Sequence, residues 1–115
     1  VLFRSEKTGK NIFEKMIRFK ANLITRNSQY PIGYYNLPHT DDPDSETESI
    51  IYYVNDSDGD TVIFNEKQPA KDLSIKHKVS PKQGRLLFFD SSYYHSSTPP
   101  RNTDIRLVLN IAFKK

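Results

Sequence analysis

The sequence predicts a mainly β domain, a sandwich or barrel, on three observations. From Lys20 onward the apolar residues fall in short runs of β-branched and aromatic side chains, not at helical spacing. Clusters of Pro, Gly, Asn, Asp and Ser separate those runs at short intervals. Finally, 115 residues that are 36% hydrophobic, with seven Phe and seven Tyr, supply one core and not two, so residues 1–115 read as a single domain with its body over about 20–115.

Taken in order, residues 9–19 (GKNIFEKMIRF) put Ile12, Phe13, Met16 and Ile17 at helical spacing with charged residues between them, which predicts a short N-terminal amphipathic helix. The strand-like runs then cover about 20–26, 33–39, 49–55, 61–65, 73–79, 85–90, 93–97 and 105–113. Asn55-Asp56-Ser57-Asp58-Gly59 reads as a hairpin turn, because Asn, Asp and Gly tolerate positive φ. The last run, RLVLNIAF, is apolar on both faces: Leu107, Leu109, Ile111 and Phe113 on one, Val108 and Ala112 with Arg106 and Asn110 on the other. One face suits a barrel interior, and the other calls for covering helices. The chain also opens on Val1 and not Met, and it enters structure almost at once. Both points lead us to expect a piece of a longer protein that lacks upstream helices.

Composition excludes several classes. No apolar run approaches the roughly 20 residues of a membrane-spanning helix, and Val1-Leu2-Phe3-Arg4 is too short for a secretory signal. Zero cysteines remove disulfide scaffolds, thiol nucleophiles and iron–sulfur clusters, and suit a cytoplasmic setting. A net charge of +3 with interspersed signs is too weak a bias to argue for nucleic acid or a membrane surface. No phosphate loop or nucleophile elbow is present.

Three histidines remain as candidates for chemistry. His39 opens His39-Thr40-Asp41 at the end of a strand-like run, where residues two apart share a face, so an imidazole and a carboxylate converge. His95 follows the apolar run 86–89, which can pack beside the first in a sandwich. Two imidazoles and one carboxylate on one side of a metal leave the other side open, the arrangement of non-haem Fe(II) oxygenases. Taken alone, the His-x-Asp motif is weak. Asp42 is a rival for Asp41 only if the register slips, and His77, in a polar run, reads as a solvated edge residue. Arg106 opens the last strand between Ile105 and Leu107, where a guanidinium needs a partner: the distal carboxylate of a keto acid, or an internal carboxylate, would serve. Arg101 is the rival cation, placed in a Pro-rich loop.

Together these features resemble one family. His39-x-Asp41, Ile50-Ile51-Tyr52-Tyr53-Val54-Asn55, Gly84-Arg85-Leu86-Leu87-Phe88-Phe89, His95 followed by Pro99, and Arg106-Leu107-Val108-Leu109-Asn110 are similar in order and spacing to the 2-oxoglutarate and Fe(II)-dependent oxygenases, and within them to the prolyl-4-hydroxylase-like branch. The resemblance implies a double-stranded β-helix, or jelly roll, with Fe(II) held by His39, Asp41 and His95. It also implies that Arg106 and the phenol of Tyr53 bind the distal carboxylate of 2-oxoglutarate. The implied activity is a dioxygenase that hydroxylates a peptidyl proline or a small molecule with O2, releasing succinate and CO2, with ascorbate as reductant. A non-catalytic jelly-roll binding module is the alternative. The family also places a tyrosine near the site within the run 30–37, where Tyr30, Tyr34 and Tyr35 compete. Where the family often has a Gly-Gly pair ahead of the run at 61, this chain has Gly59-Asp60.

Overall fold

A computed structural model describes residues 4–5 and 10–115, with side chains from Glu14 onward. Two short strands, β1 (Arg4–Ser5) and β2 (Lys10–Asn11), pair antiparallel. A single 3-10 turn at Ile12–Lys15 follows, and then seven strands: β3 (Met16–Thr25), β4 (Thr47–Tyr53), β5 (Thr61–Phe64), β6 (Ile75–Val79), β7 (Leu86–Asp90), β8 (His95–Ser97) and β9 (Ile105–Lys114). They form a four-stranded sheet in the order β3-β9-β4-β7 and a three-stranded sheet in the order β6-β5-β8, antiparallel throughout. The architecture is the mainly β jelly roll that the sequence predicts.

The N-terminal helix is a correction. Only the one 3-10 turn forms, and Met16 already lies in β3. Tertiary pairing overrides the helical spacing: from Arg18 to Thr25, β3 pairs residue by residue with β9, after one irregularity next to Met16. From Ile17 the residues also alternate apolar and polar with the period of a strand (Ile17, Phe19 against Arg18, Lys20).

The expected run at 33–39 forms no strand, although it lies beside β8. Asn36 N–H donates to the Ser97 carbonyl at 2.8 Å, and His39 exchanges both backbone bonds with His95 at 3.0 and 2.9 Å. Pro38 between them has no N–H to donate, and Gly33 adopts a positive φ of 91° in the turn that precedes them, so a continuous ladder cannot form.

The hairpin reading of residues 55–59 also fails. β4 and β5 belong to different sheets, so the segment crosses between layers. Gly59 is required there by close approach, since a Cβ would stand 2.6 Å from the Thr98 carbonyl oxygen. Asp58 holds the crossing in place: its carboxylate accepts from the backbone N–H groups of Arg101, Asn102 and Thr103 and from the Thr103 hydroxyl.

Between the sheets lies the main core of Ile51, Tyr53, Ile63, Phe89 and Val108. A second cluster, Ile50, Ile111 and Phe113 with Met16 and Leu86, sits on the opposite face of the four-stranded sheet. β9 therefore buries apolar groups on both faces, as its sequence predicts. On that outer face Phe19 (57%), Leu23 (60%) and Phe88 (55%) are exposed. Among the described residues no helix is long and apolar enough to cross a membrane.

Candidate metal centre

The fold brings His39, Asp41 and His95 together, and their ligand atoms lie within 4.8 Å of one another. Backbone pairing does most of this. The reciprocal His39–His95 bridge sets the two rings side by side with centroids 4.4 Å apart, and the Asp41 N–H donates to the Ser91 carbonyl at 3.0 Å. Nε2 of His39 stands 3.7 Å from Asp41 Oδ1, and Nε2 of His95 stands 3.5 Å from the same oxygen. One divalent ion can bridge such spacings, because its bonds to nitrogen and oxygen are about 2.0–2.2 Å long.

The surroundings fix which atoms face the ion. His95 Nδ1 lies 3.1 Å from the Tyr93 carbonyl and His39 Nδ1 lies 3.4 Å from that of Leu37. Carbonyls only accept, so each Nδ1 carries the proton and each Nε2 presents its lone pair to Asp41's side. Ser49, buried in β4, donates to Asp41 Oδ2 at 2.7 Å and lies 2.7 Å from the Ser91 hydroxyl, which turns Oδ1 toward the imidazoles. Phe89 packs edge-on against the His95 ring, at 4.8 Å between centroids.

Electrostatics agree with a cation site. Burial raises the Asp41 pKa, but hydrogen bonding to and charge interaction with His95, together with Ser49 and His39, outweigh it and bring the carboxyl down to about 2. The His39 pKa is lowered, first by burial and then by His95, with Arg18 pushing the same way, so the ring favours its neutral, metal-binding form. The donor set, two neutral imidazoles and one carboxylate with open positions beyond them, suits Fe(II).

A cavity of about 140 Å³ between the sheets opens from this cluster. Arg106, 3% exposed, lines the same cavity as His39, Asp41 and His95. Its Nε donates to the Gly59 carbonyl at 2.7 Å and its Nη2 to the Thr61 hydroxyl at 2.6 Å. Burial lowers its pKa, opposed by Tyr53 and Asp60, and no carboxylate forms an ion pair with it among the described residues. Its other N–H groups have no partner among the described residues, and a guanidinium placed so at a cavity can accept a carboxylate.

Tyr53 stands one step further back. Its hydroxyl donates to Thr61 Oγ1 at 2.7 Å, its ring lies 6.0 Å from the Arg106 guanidinium, and it does not line the cavity. Thr61 lines it instead. Sequence reasoning missed Thr61, which nothing local distinguishes from any other strand threonine. It also missed Ser49, where a hydroxyl ahead of the apolar Ile50-Ile51 was a visible anomaly.

The rival candidates fall away. Asp42 accepts from the Asp44 and Glu46 N–H groups and so shapes its own loop. Arg101 binds the Tyr30 carbonyl and stays off the cavity. Tyr30 and Tyr34 stack on each other at 4.0 Å, Tyr35 packs edge-on to Phe64 at 5.1 Å, and none of the three lines the cavity. His77 is exposed on the edge strand β6.

A double-stranded β-helix with an open His-Asp-His centre defines a class of non-haem iron proteins. The family model of the 2OG-Fe(II) oxygenase superfamily matches residues 25–114, and the chain belongs to that superfamily. Among solved structures, a non-heme monooxygenase, ThoJ, determined as a nickel complex, is similar with a TM-score of 0.64 at 11% identity, over 88% of this chain and 44% of that one. A cupin protein from Bacteroides fragilis is similar with a TM-score of 0.55 at 14% identity, over 84% of this chain and 64% of that one. At these identities the likeness concerns the fold. The chain spans less than two thirds of the length of either. A comparison with curated proteins finds no match.

Proposed function

We propose that this chain is a 2-oxoglutarate-dependent Fe(II) dioxygenase that hydroxylates a peptidyl proline or a small molecule, releasing succinate and CO2. The observation that carries the reading is one cavity lined both by the His39, Asp41 and His95 cluster and by buried Arg106 with Thr61. The order and spacing of those residues support the prolyl-4-hydroxylase-like branch, with ascorbate as the reductant.

Bound at His39, Asp41 and His95, Fe(II) supplies the oxidative chemistry that couples 2-oxoglutarate decarboxylation to hydroxylation. The chain's own residues do the positioning. His39 and His95 through Nε2 and Asp41 through Oδ1 would hold the ion. Arg106 meets the distal carboxylate with N–H groups not engaged by Gly59 or Thr61. The Thr61 hydroxyl already accepts from Tyr53 and Arg106, so its own hydrogen is free to donate to the same carboxylate. The Phe89 ring and the core beneath His95 keep that side of the centre dry.

The test is succinate formation by the full chain with Fe(II), 2-oxoglutarate and ascorbate. Turnover should require both metal and keto acid and vanish in His39→Ala. Succinate production that survives the substitution, or a chain that binds no divalent metal, overturns the reading.

A further inference from the structure

β3 carries an alternation opposite to that of a core strand. Its outward side chains are Ile17, Phe19 and Leu23, whereas Arg18, Lys20 and Asn22 point inward and line the cavity. The register with β9 sets Arg18 opposite Ala112, Lys20 opposite Asn110 and Asn22 opposite Val108, on the sheet face that also carries Arg106. A slip of one residue would turn the apolar set inward and the cations to solvent; nine paired positions hold them at the cavity instead.

Among the described residues these two cations have no acidic partner. The ion pairs among the described residues join Arg26 to Asp104, Lys115 to Asp90, and the two imidazoles to Asp41. Asp41 is the one carboxylate among the residues lining the cavity. With a ferrous ion and dianionic 2-oxoglutarate in place, the charges of ion, keto acid, Asp41 and Arg106 cancel. Arg18 and Lys20 then remain as two positive charges at the wall that a substrate must pass or touch, and such a wall concentrates anions.

We propose that Arg18 and Lys20 recognise the substrate, and that the substrate presents an anionic group, carboxylate or phosphate, to them. The inference rests on the oxygenase reading of the same cavity. The competing role is protection of a sheet edge: β3 is the outer strand of its sheet, and inward-pointing charges discourage pairing with another chain.

The experiment titrates inorganic phosphate into the full chain by calorimetry, once metal-free and once loaded with Mn(II) and saturating 2-oxoglutarate, in the wild type and in Arg18→Gln/Lys20→Gln. Saturable binding to the loaded wild type is expected. In the double variant it should be about tenfold weaker, the combined size of two partly exposed charge contacts, and less sensitive to salt. 2-Oxoglutarate should bind both proteins equally, and Mn(II) affinity should change far less than phosphate affinity, because Arg18 is the smallest of the influences on His39. Displacement of phosphate by free L-glutamate assigns the anion to a small acid, and displacement only by an acetylated glutamate tripeptide assigns it to an acidic peptide. Equal phosphate affinity in the two proteins overturns the proposal. So does a tenfold loss of 2-oxoglutarate affinity with phosphate unaffected, which would give the cations to the cosubstrate, or self-association of the variant with unchanged phosphate binding, which would give them to the edge. A wild type that binds neither Mn(II) nor 2-oxoglutarate shows up in its own titrations and removes the underlying oxygenase reading.

Discussion

Thr61→Val isolates the hydroxyl that ties Tyr53 and Arg106 together at the cavity wall. Thr61 is 1% exposed, and Val preserves its shape while deleting an acceptor used twice, by Tyr53 at 2.7 Å and by Arg106 at 2.6 Å. The Tyr53 hydroxyl, on a fully buried residue, is then left without a partner, at a cost of about 1–3 kcal/mol. Arg106 keeps its bond to Gly59 but loses the second, so the total destabilisation should be about 2–4 kcal/mol. For 115 residues the unfolding entropy makes each kcal/mol about 4 °C in Tm, which gives a drop of about 8–16 °C by calorimetry. Below that transition, 2-oxoglutarate should bind the Mn(II)-loaded variant about 10–100-fold more weakly, the size of one hydrogen bond to a charged group, while Mn(II) affinity is unchanged. Tyr53→Phe is the control: it leaves Thr61 in place, should cost about 1 kcal/mol of stability, and should weaken the keto acid less than Thr61→Val does. A Thr61→Val protein within about 2 °C of the wild type, or with 2-oxoglutarate affinity within twofold, would refute the relay.

Three further outcomes follow from particular contacts. Ser49→Ala frees Asp41 Oδ2 and should weaken Mn(II) by about 10–100-fold in a competition titration, with the fold retained by circular dichroism. Gly59→Ala drives a Cβ against the Thr98 carbonyl and toward Arg106 Cδ at 3.0 Å, so it should cost about 1–3 kcal/mol in denaturant and also weaken 2-oxoglutarate, because Gly59 carries the carbonyl that aims Arg106. Asp90 is buried enough to raise its pKa, yet Lys115, Ser45 and Ser92 outweigh that and lower it. A depressed carboxylate stabilises the fold above its unfolded pKa of about 3.9 and loses that contribution as pH falls toward the folded value. Asp90→Asn should therefore be less stable than wild type by about 1 kcal/mol at pH 5–7, with Lys115 being 43% exposed, and the gap should close as pH drops below 4.

The legibility of the chain follows the range of the forces involved. Strands are readable because alternation and turn residues are local, and seven of the strand-like runs lie on observed strands. His39 and Asp41 were readable as a His-x-Asp pair, His95 as the histidine that follows the apolar run 86–89, and Arg106 as a charge between Ile105 and Leu107. What failed depended on partners far along the chain. The spacing of Ile12, Phe13, Met16 and Ile17 suits a helix, but β9, some ninety residues away, offers a ladder that a helix cannot use. Thr61 gained its role from Arg106 and Tyr53, neither adjacent to it. Arg18 was hidden by the helix reading, which ended at Phe19 and so set it on a different element from Lys20.

The His39, Asp41 and His95 cluster and the Arg106–Thr61 contact are coupled through the way the two sheets are joined. His39 and His95 are fixed by a backbone bridge beside β8, and β8 pairs with β5, where Thr61 faces Ser97 and Ile63 faces His95. Thr61 in turn holds Arg106 of β9, in the other sheet. One strand thus carries the alignment of both ends of the cavity: a shift of β5 that moved Thr61 away from Arg106 would also drag His95 from Asp41. His39 and Asp41 themselves lie outside the strands, and backbone hydrogen bonds to His95 and Ser91 tie them to that ladder. Among the described residues, none of the fully enclosed side-chain polar atoms lacks a hydrogen-bond partner. The same reasoning locates specificity elsewhere, on β3, whose inward side chains belong to neither end and are free to differ without disturbing iron or keto acid.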